Sequence, residues 1–216
     1  MRSCQRGKQG VFSKDNATKI TTVGVRYRSE IVKKIVHIFH NPIDNVAARF
    51  HLDRKIRARQ NKHWLLDYPN NKEGFQRWCA DMNENSTRTL SSSRWIDSSL
   101  TKVMKGVPCL AEFYHYVHWH NLAFTATSDL QVPSFLIHYE DYSTQFKEVT
   151  DELLNFLGLS QVGYAPEFIN HKEYGNYYSD HQKQSIAMFI EEFSTKHTWQ
   201  NVKHHLSDFL VKLIDP

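Results

Sequence analysis

The sequence predicts an α/β fold in which short parallel strands are joined by helices. Three observations point there. Ile35 to Phe39 (IVHIF) is a brief apolar, β-branched run of the kind that makes a buried parallel strand. Ser134 to His138 (SFLIH) supplies a second strand. The chain between and after them carries helical periodicity, as strand–helix alternation requires. With 216 residues the chain fits one domain with a sizeable core. A hydrophobic content of 40% and an aromatic content of 13% exclude disorder as a whole-chain state.

Residues 1–30 are polar, basic and short of apolar periodicity. Ile20 to Tyr27 (ITTVGVRY) is the one strand candidate there, weakened by Gly24. The reading is a poorly ordered arm or partial strand over 1–30 and a folded domain over 31–216. After the strand at Ile35–Phe39, His40-Asn41-Pro42 breaks the run, and Pro42 suits the first turn of a helix. Ile43 to Leu52 reads as that helix, with Val46, Ala47 and Phe50 on one side and Asp44, Asn45 and Arg49 on the other. A strand that ends at such a turn sets polar groups at the carboxyl edge of a sheet, where open α/β folds bind ligands.

Arg54 to Lys62 (RKIRARQNK) continues this helix as a basic run, read as a solvated face or a phosphate-attracting rim. Asp67 to Gly74 is a loop by its Pro, Asn and Gly content. Phe75 to Met82 reads as a turn or two of helix, Asn83 to Ser93 as a flexible polar loop, and Trp95 to Val103 as another short helix. From about Ala111, Phe113, Tyr116, Val117, His120 and Phe124 recur on one face of an amphipathic helix. The HYVHWH run within it is a weak metal motif. His120 lies about 200° around the helix from His118, and no carboxylate or Cys stands at matching spacing. No metal is expected.

The strand at Ser134–His138 runs into Tyr139-Glu140-Asp141. Phe146, Val149, Leu153, Phe156 and Leu157 then mark a helix that Gly158 ends. Gln161 to Tyr178 is a loop rich in Tyr, Asn and Gly. Asp180 to Phe193 and Trp199 to Leu213 each read as one core-packing helix.

A net charge of +4 suits a polyanionic nucleotide or a negatively charged glycan, and is too weak and scattered to argue for nucleic acid. No run of about 18 apolar residues is present, so no membrane span is expected. The N-terminus lacks an apolar core and does not read as a signal peptide. Cys4, Cys79 and Cys109 have no metal-ligand spacing. Cys79 and Cys109 pair in an oxidising compartment or remain thiols in a reducing one. The sequons at Asn16 and Asn85 matter only in a lumenal protein. The compartment, cytoplasm or Golgi lumen, stays open.

Three phrases carry a resemblance: NPIDNVAARFH at 41–51, PCLAEFYHYVHWHNLAF at 108–124, and YEDY…FLGL at 139–159. Together they resemble the sulfotransferase family, in a subfamily typical of plants and algae, over roughly residues 31–205. The resemblance implies a three-layer α/β domain with a central parallel sheet, related to P-loop nucleotide-binding folds. It implies 3′-phosphoadenosine 5′-phosphosulfate (PAPS) as co-substrate and a hydroxyl or amine acceptor, carbohydrates among them. On this pattern His40, Asn41 and Arg49 would face the 3′-phosphate, and Tyr139 would lie against the adenine. His40 stands where the family carries Arg, Ala48 where it carries Ser, and Arg49 is the candidate replacement cation. The usual Arg-Lys-Gly clamp is absent, with His171 and Lys172 the nearest cations. No strand followed by a Lys/Ser/Gly/Thr loop precedes Ile35, so the fold is expected to be N-terminally incomplete. His51 and Glu140 are bases by residue type only, and no catalytic residue is assigned. The competing expectation is a non-catalytic relative that binds a nucleotide, glycan or protein. A P-loop kinase or NTPase is disfavoured by the lack of a Gly-x-x-x-x-Gly-Lys-Ser/Thr run.

Overall fold

A computed structural model describes residues 31–90, 103–163, 168 and 173–211. The strand candidate at 20–27, the sequon at Asn16 and the region 95–102 lie outside these residues. Strands β1 (Ile35–Phe39) and β2 (Ser134–His138) pair in parallel, from Ile35 opposite Ser134 to Phe39 opposite His138. Both strands coincide with the apolar runs that predict them. The described part is mostly helical around this two-stranded parallel sheet, and so broadly α/β. The wider central sheet that was expected is not present among the described residues.

Helix α1 (Pro42–Arg57) follows β1 directly. Asn41 caps it, its Oδ1 accepting the Ile43 N–H at 3.0 Å, and Pro42 occupies the first turn. Val46, Ala47 and Phe50 are buried as their spacing predicts. Asp44 is buried too, against expectation, because its carboxylate accepts the Tyr174 N–H at 2.6 Å. The basic run continues the helix for its first four residues only. α1 stops at Arg57, and α2 (Lys62–Asp67) restarts under an Asn61 cap. Arg57 lies over the Trp64 ring, 5.1 Å from its centroid, while Arg59 and Lys62 are exposed.

Helix α3 (Lys72–Leu90) corrects two expectations, since it takes in both the short helix at 75–82 and much of the polar stretch read as a loop. Asn83 shows why polarity misleads here. Its side chain donates to Val107 O at 3.0 Å and accepts from Leu110 N, so a polar residue clamps two elements together. The Asn85 sequon lies inside this helix. Cys79 of α3 is bonded to Cys109, which immediately precedes α4 (Leu110–Leu130).

The predicted face of α4 is correct. Phe113, Tyr116, Val117 and His120 are buried, Phe124 is partly so, and His115 and His118 are exposed. This helix covers one face of the sheet, where His120 stacks on Phe39 at 4.1 Å and Phe124 on His37 at 4.8 Å. α5 (Phe146–Leu157) meets the other face through Phe156 on Phe135, 5.3 Å apart. Gly158 ends α5 at φ 74, a left-handed conformation that glycine adopts without a Cβ clash.

α6 (Asp180–Phe193) starts at a Ser179–Gln182 capping box and buries Ile186, Phe189 and Ile190 in the main core. The single helix expected over Trp199–Leu213 is broken into α7 (Lys196–Val202), a 3-10 turn at Lys203–His205, and α8 (Ser207–Val211). Val202 and Leu206 flank the break and are fully buried. No helix among the described residues is long and apolar enough to cross a membrane.

Candidate functional site

Parallel pairing brings the carboxyl ends of β1 and β2 side by side, so His40-Asn41 and Tyr139-Glu140 leave the sheet together. Glu140 joins the two exits. Its Oε1 accepts the Asn41 N–H at 2.7 Å and lies 3.7 Å from His40 Nε2. The His40 and Tyr139 rings are 4.6 Å apart. Tyr116 reaches across from α4 and donates its hydroxyl to His40 O at 2.7 Å. Burial, reinforced by the Glu140 carboxylate, raises the Tyr116 phenol far above its ordinary range, so it remains a donor. The β1 exit is thereby fixed from both sides.

Of the four residues assigned to the nucleotide, His40 and Tyr139 meet directly. Arg49 is exposed on α1 and lines, with His40, Asn45, Tyr116, Trp119 and His120, a cleft of about 530 Å³. Asn41 is different: its side chain caps α1 and its N–H serves Glu140, so it shapes the turn. Trp119 stands at the cleft 71% exposed. Beyond Tyr139, Phe168 packs edge-on at 5.4 Å, extending the aromatic surface. His171 and Lys172 lie outside the described residues.

His51 sits nine residues into α1, roughly 13 Å along its axis from the sheet edge. There its Nδ1 lies 2.9 Å from Asn70 Oδ1, and its ring stacks on Tyr174. That position removes it as a base for chemistry at the edge. Tyr178 closes the same flank, donating to Ile43 O at 3.0 Å. Glu140 is at the edge, but its engagement with Asn41 makes it a brace between strands.

Sequence reasoning missed the histidines that gather behind Glu140. The 3-10 turn places His205 Nε2 3.7 Å from Glu140 Oε2, and His204 packs edge-on to His138 at 4.9 Å. Burial, with His204 beside it, pushes the His205 imidazole down to about 4, so it is neutral at pH 7. The His-His doublet inside an otherwise amphipathic stretch was the available signal. Nothing local ties it to β2.

The chain matches no family model, and no similar curated protein or solved structure is found.

Proposed function

We propose that the carboxyl edge of the β1–β2 sheet binds an adenosine 3′,5′-bisphosphate, and that the chain belongs to a PAPS-dependent sulfotransferase. One observation carries the reading. The in-register pairing of β1 and β2 sets the His40 turn and Tyr139 edge to edge, with Arg49 in the cleft that His40 lines. Tyr139 and Phe168 offer aromatic surface for a purine. Arg49 and His40 offer donors to the 3′-phosphate, and an Arg fork suits phosphate oxygens. Support for the family comes from the sequence phrases at 41–51, 108–124 and 139–159, each of which falls on an element of this site.

In the reaction an acceptor hydroxyl or amine attacks sulfur in line. The new S–O or S–N bond forms as the S–O bond to the 5′-phosphate breaks. The acceptor proton passes to a base, and adenosine 3′,5′-bisphosphate leaves. The exposed indole of Trp119 gives the cleft that Arg49 lines a flat apolar wall. The buried Cys79–Cys109 disulfide favours an oxidising compartment, such as the lumen where glycans are met.

A second reading, binding without transfer, is favoured by His40 and Ala48 standing where the resembled family carries Arg and Ser. Calorimetric titration of the chain with adenosine 3′,5′-bisphosphate tests the nucleotide site. Micromolar affinity, on the order of 8 kcal/mol, should weaken about tenfold or more in Arg49→Ala and in Tyr139→Ala, a loss of ~1.4 kcal/mol each. Absence of heat in folded protein overturns nucleotide binding. Transfer from PAPS to a glycan panel, present or absent, separates enzyme from binder.

A further inference from the structure

The described residues contain one group of three metal-capable side chains: His138 at the end of β2, and His204 and His205 in the turn between α7 and α8. Their ligand atoms all lie within 4.8 Å of one another. Three points so spaced have a common point within about 2.8 Å of each (4.8 Å divided by √3). Zinc–imidazole bonds are about 2.0–2.1 Å, so each of the three atoms lies less than about 1 Å from bonding distance of that point. His204 is exposed, while His138 and His205 are half-buried.

The second observation is chemical. His138 Nδ1, His205 Nε2 and Glu140 Oε2 are all buried, and among the described residues none has a hydrogen-bond partner. Buried polar atoms left in this state are costly, and these three belong to residues at the β2 exit and in the turn beside it. His205 Nε2 and Glu140 Oε2 are 3.7 Å apart, near the spacing of about 3.3 Å between two ligands of one tetrahedral zinc. Glu140 is held for this by the Asn41 N–H on its other oxygen. Imidazole nitrogens select late first-row divalent ions over magnesium or calcium, which demand oxygen donors.

We propose that His138, His204 and His205, with Glu140 as fourth donor, bind a zinc-class divalent cation. The site is separate from the HYVHWH run. It stands independently of the nucleotide reading. A cation there ties the C-terminal turn to the exit of β2, one residue before Tyr139, and braces the edge from behind.

The test uses the full chain, stripped with a chelator and exchanged into chelator-free buffer, with Co²⁺ and then Zn²⁺ alone as probes. One equivalent of Co²⁺ should give the visible bands of a tetrahedral nitrogen–oxygen site, and Zn²⁺ should displace it. His204→Ala, an exposed change, should weaken binding about tenfold or more, on the scale of lost metal-site groups. His205→Gln should do the same, and His115→Ala on the exposed face of α4 should have no effect. The proposal falls if folded protein gives no Co²⁺ band, or if His204→Ala binds like the wild type. It also falls if His115→Ala removes the signal. Adenosine 3′,5′-bisphosphate affinity is measured separately, so the two proposals fail independently.

Discussion

Lowering the pH should destabilise this protein through His120, and the size of the effect follows from its surroundings. His120 is 6% exposed, stacked on Phe39 and edge-on to Tyr116 at 4.6 Å. Burial, with His37 nearby, pushes its imidazole from 6.5 down to about 4. Between these values the unfolded chain binds a proton that the folded one refuses. Stability therefore rises with pH across this window and is lost as pH falls below about 6.5. For one such group the loss is about 2 kcal/mol at pH 5, approaching ~3.4 kcal/mol once pH falls well below 4. His120→Phe keeps a flat ring on Phe39 and removes the titration. Urea unfolding of both proteins from pH 7.5 to pH 5 isolates the effect, because other ionisations cancel in the difference. The stability gap, wild type minus variant, should fall by about 2 kcal/mol from pH 7.5 to pH 5. A gap constant to within ~0.5 kcal/mol would refute burial of a neutral His120 against the sheet.

Two further perturbations probe how the edge is held. Reducing Cys79–Cys109, which are 30 residues apart, should lower stability by about 3.6 kcal/mol on the loop-entropy scale. A urea midpoint unchanged by reductant would show that the bond is not formed in solution. Asn41→Ala removes the cap on α1 and should cost about 1 kcal/mol, whereas Asn41→Gly should cost only a few tenths. Equal losses in both variants would mean that Asn41 acts by some route other than capping.

Both strands were legible because a buried parallel strand must be a short apolar run, and Ile35–Phe39 and Ser134–His138 are such runs. The face of α4 was legible for a similar reason, its period being unbroken from Phe113 to Phe124. Polarity misled wherever a polar side chain had a distant partner. Asp44 is buried by a backbone N–H from Tyr174, and Asn83 continues a helix while bridging to Val107 and Leu110. The break at Lys203–His205 was hidden because Val202, Leu206 and Phe209 keep a helical spacing across it. In the candidate site, His40 and Tyr139 follow from where the strands end. The Glu140 brace and the histidines behind it depend on strand pairing and on the C-terminal turn, which local pattern does not encode.

On the proposed function, an adenine nucleotide would lie on Tyr139 at the carboxyl edge of the sheet. Photolabelling the intact chain with an 8-azido derivative of adenosine 3′,5′-bisphosphate, followed by peptide mapping, tests it most directly. Label is expected on the peptide carrying Tyr139 or on that carrying Phe168, removed by excess unlabelled bisphosphate and reduced in Arg49→Ala. Label confined to other peptides, or indifferent to the competitor, would contradict it.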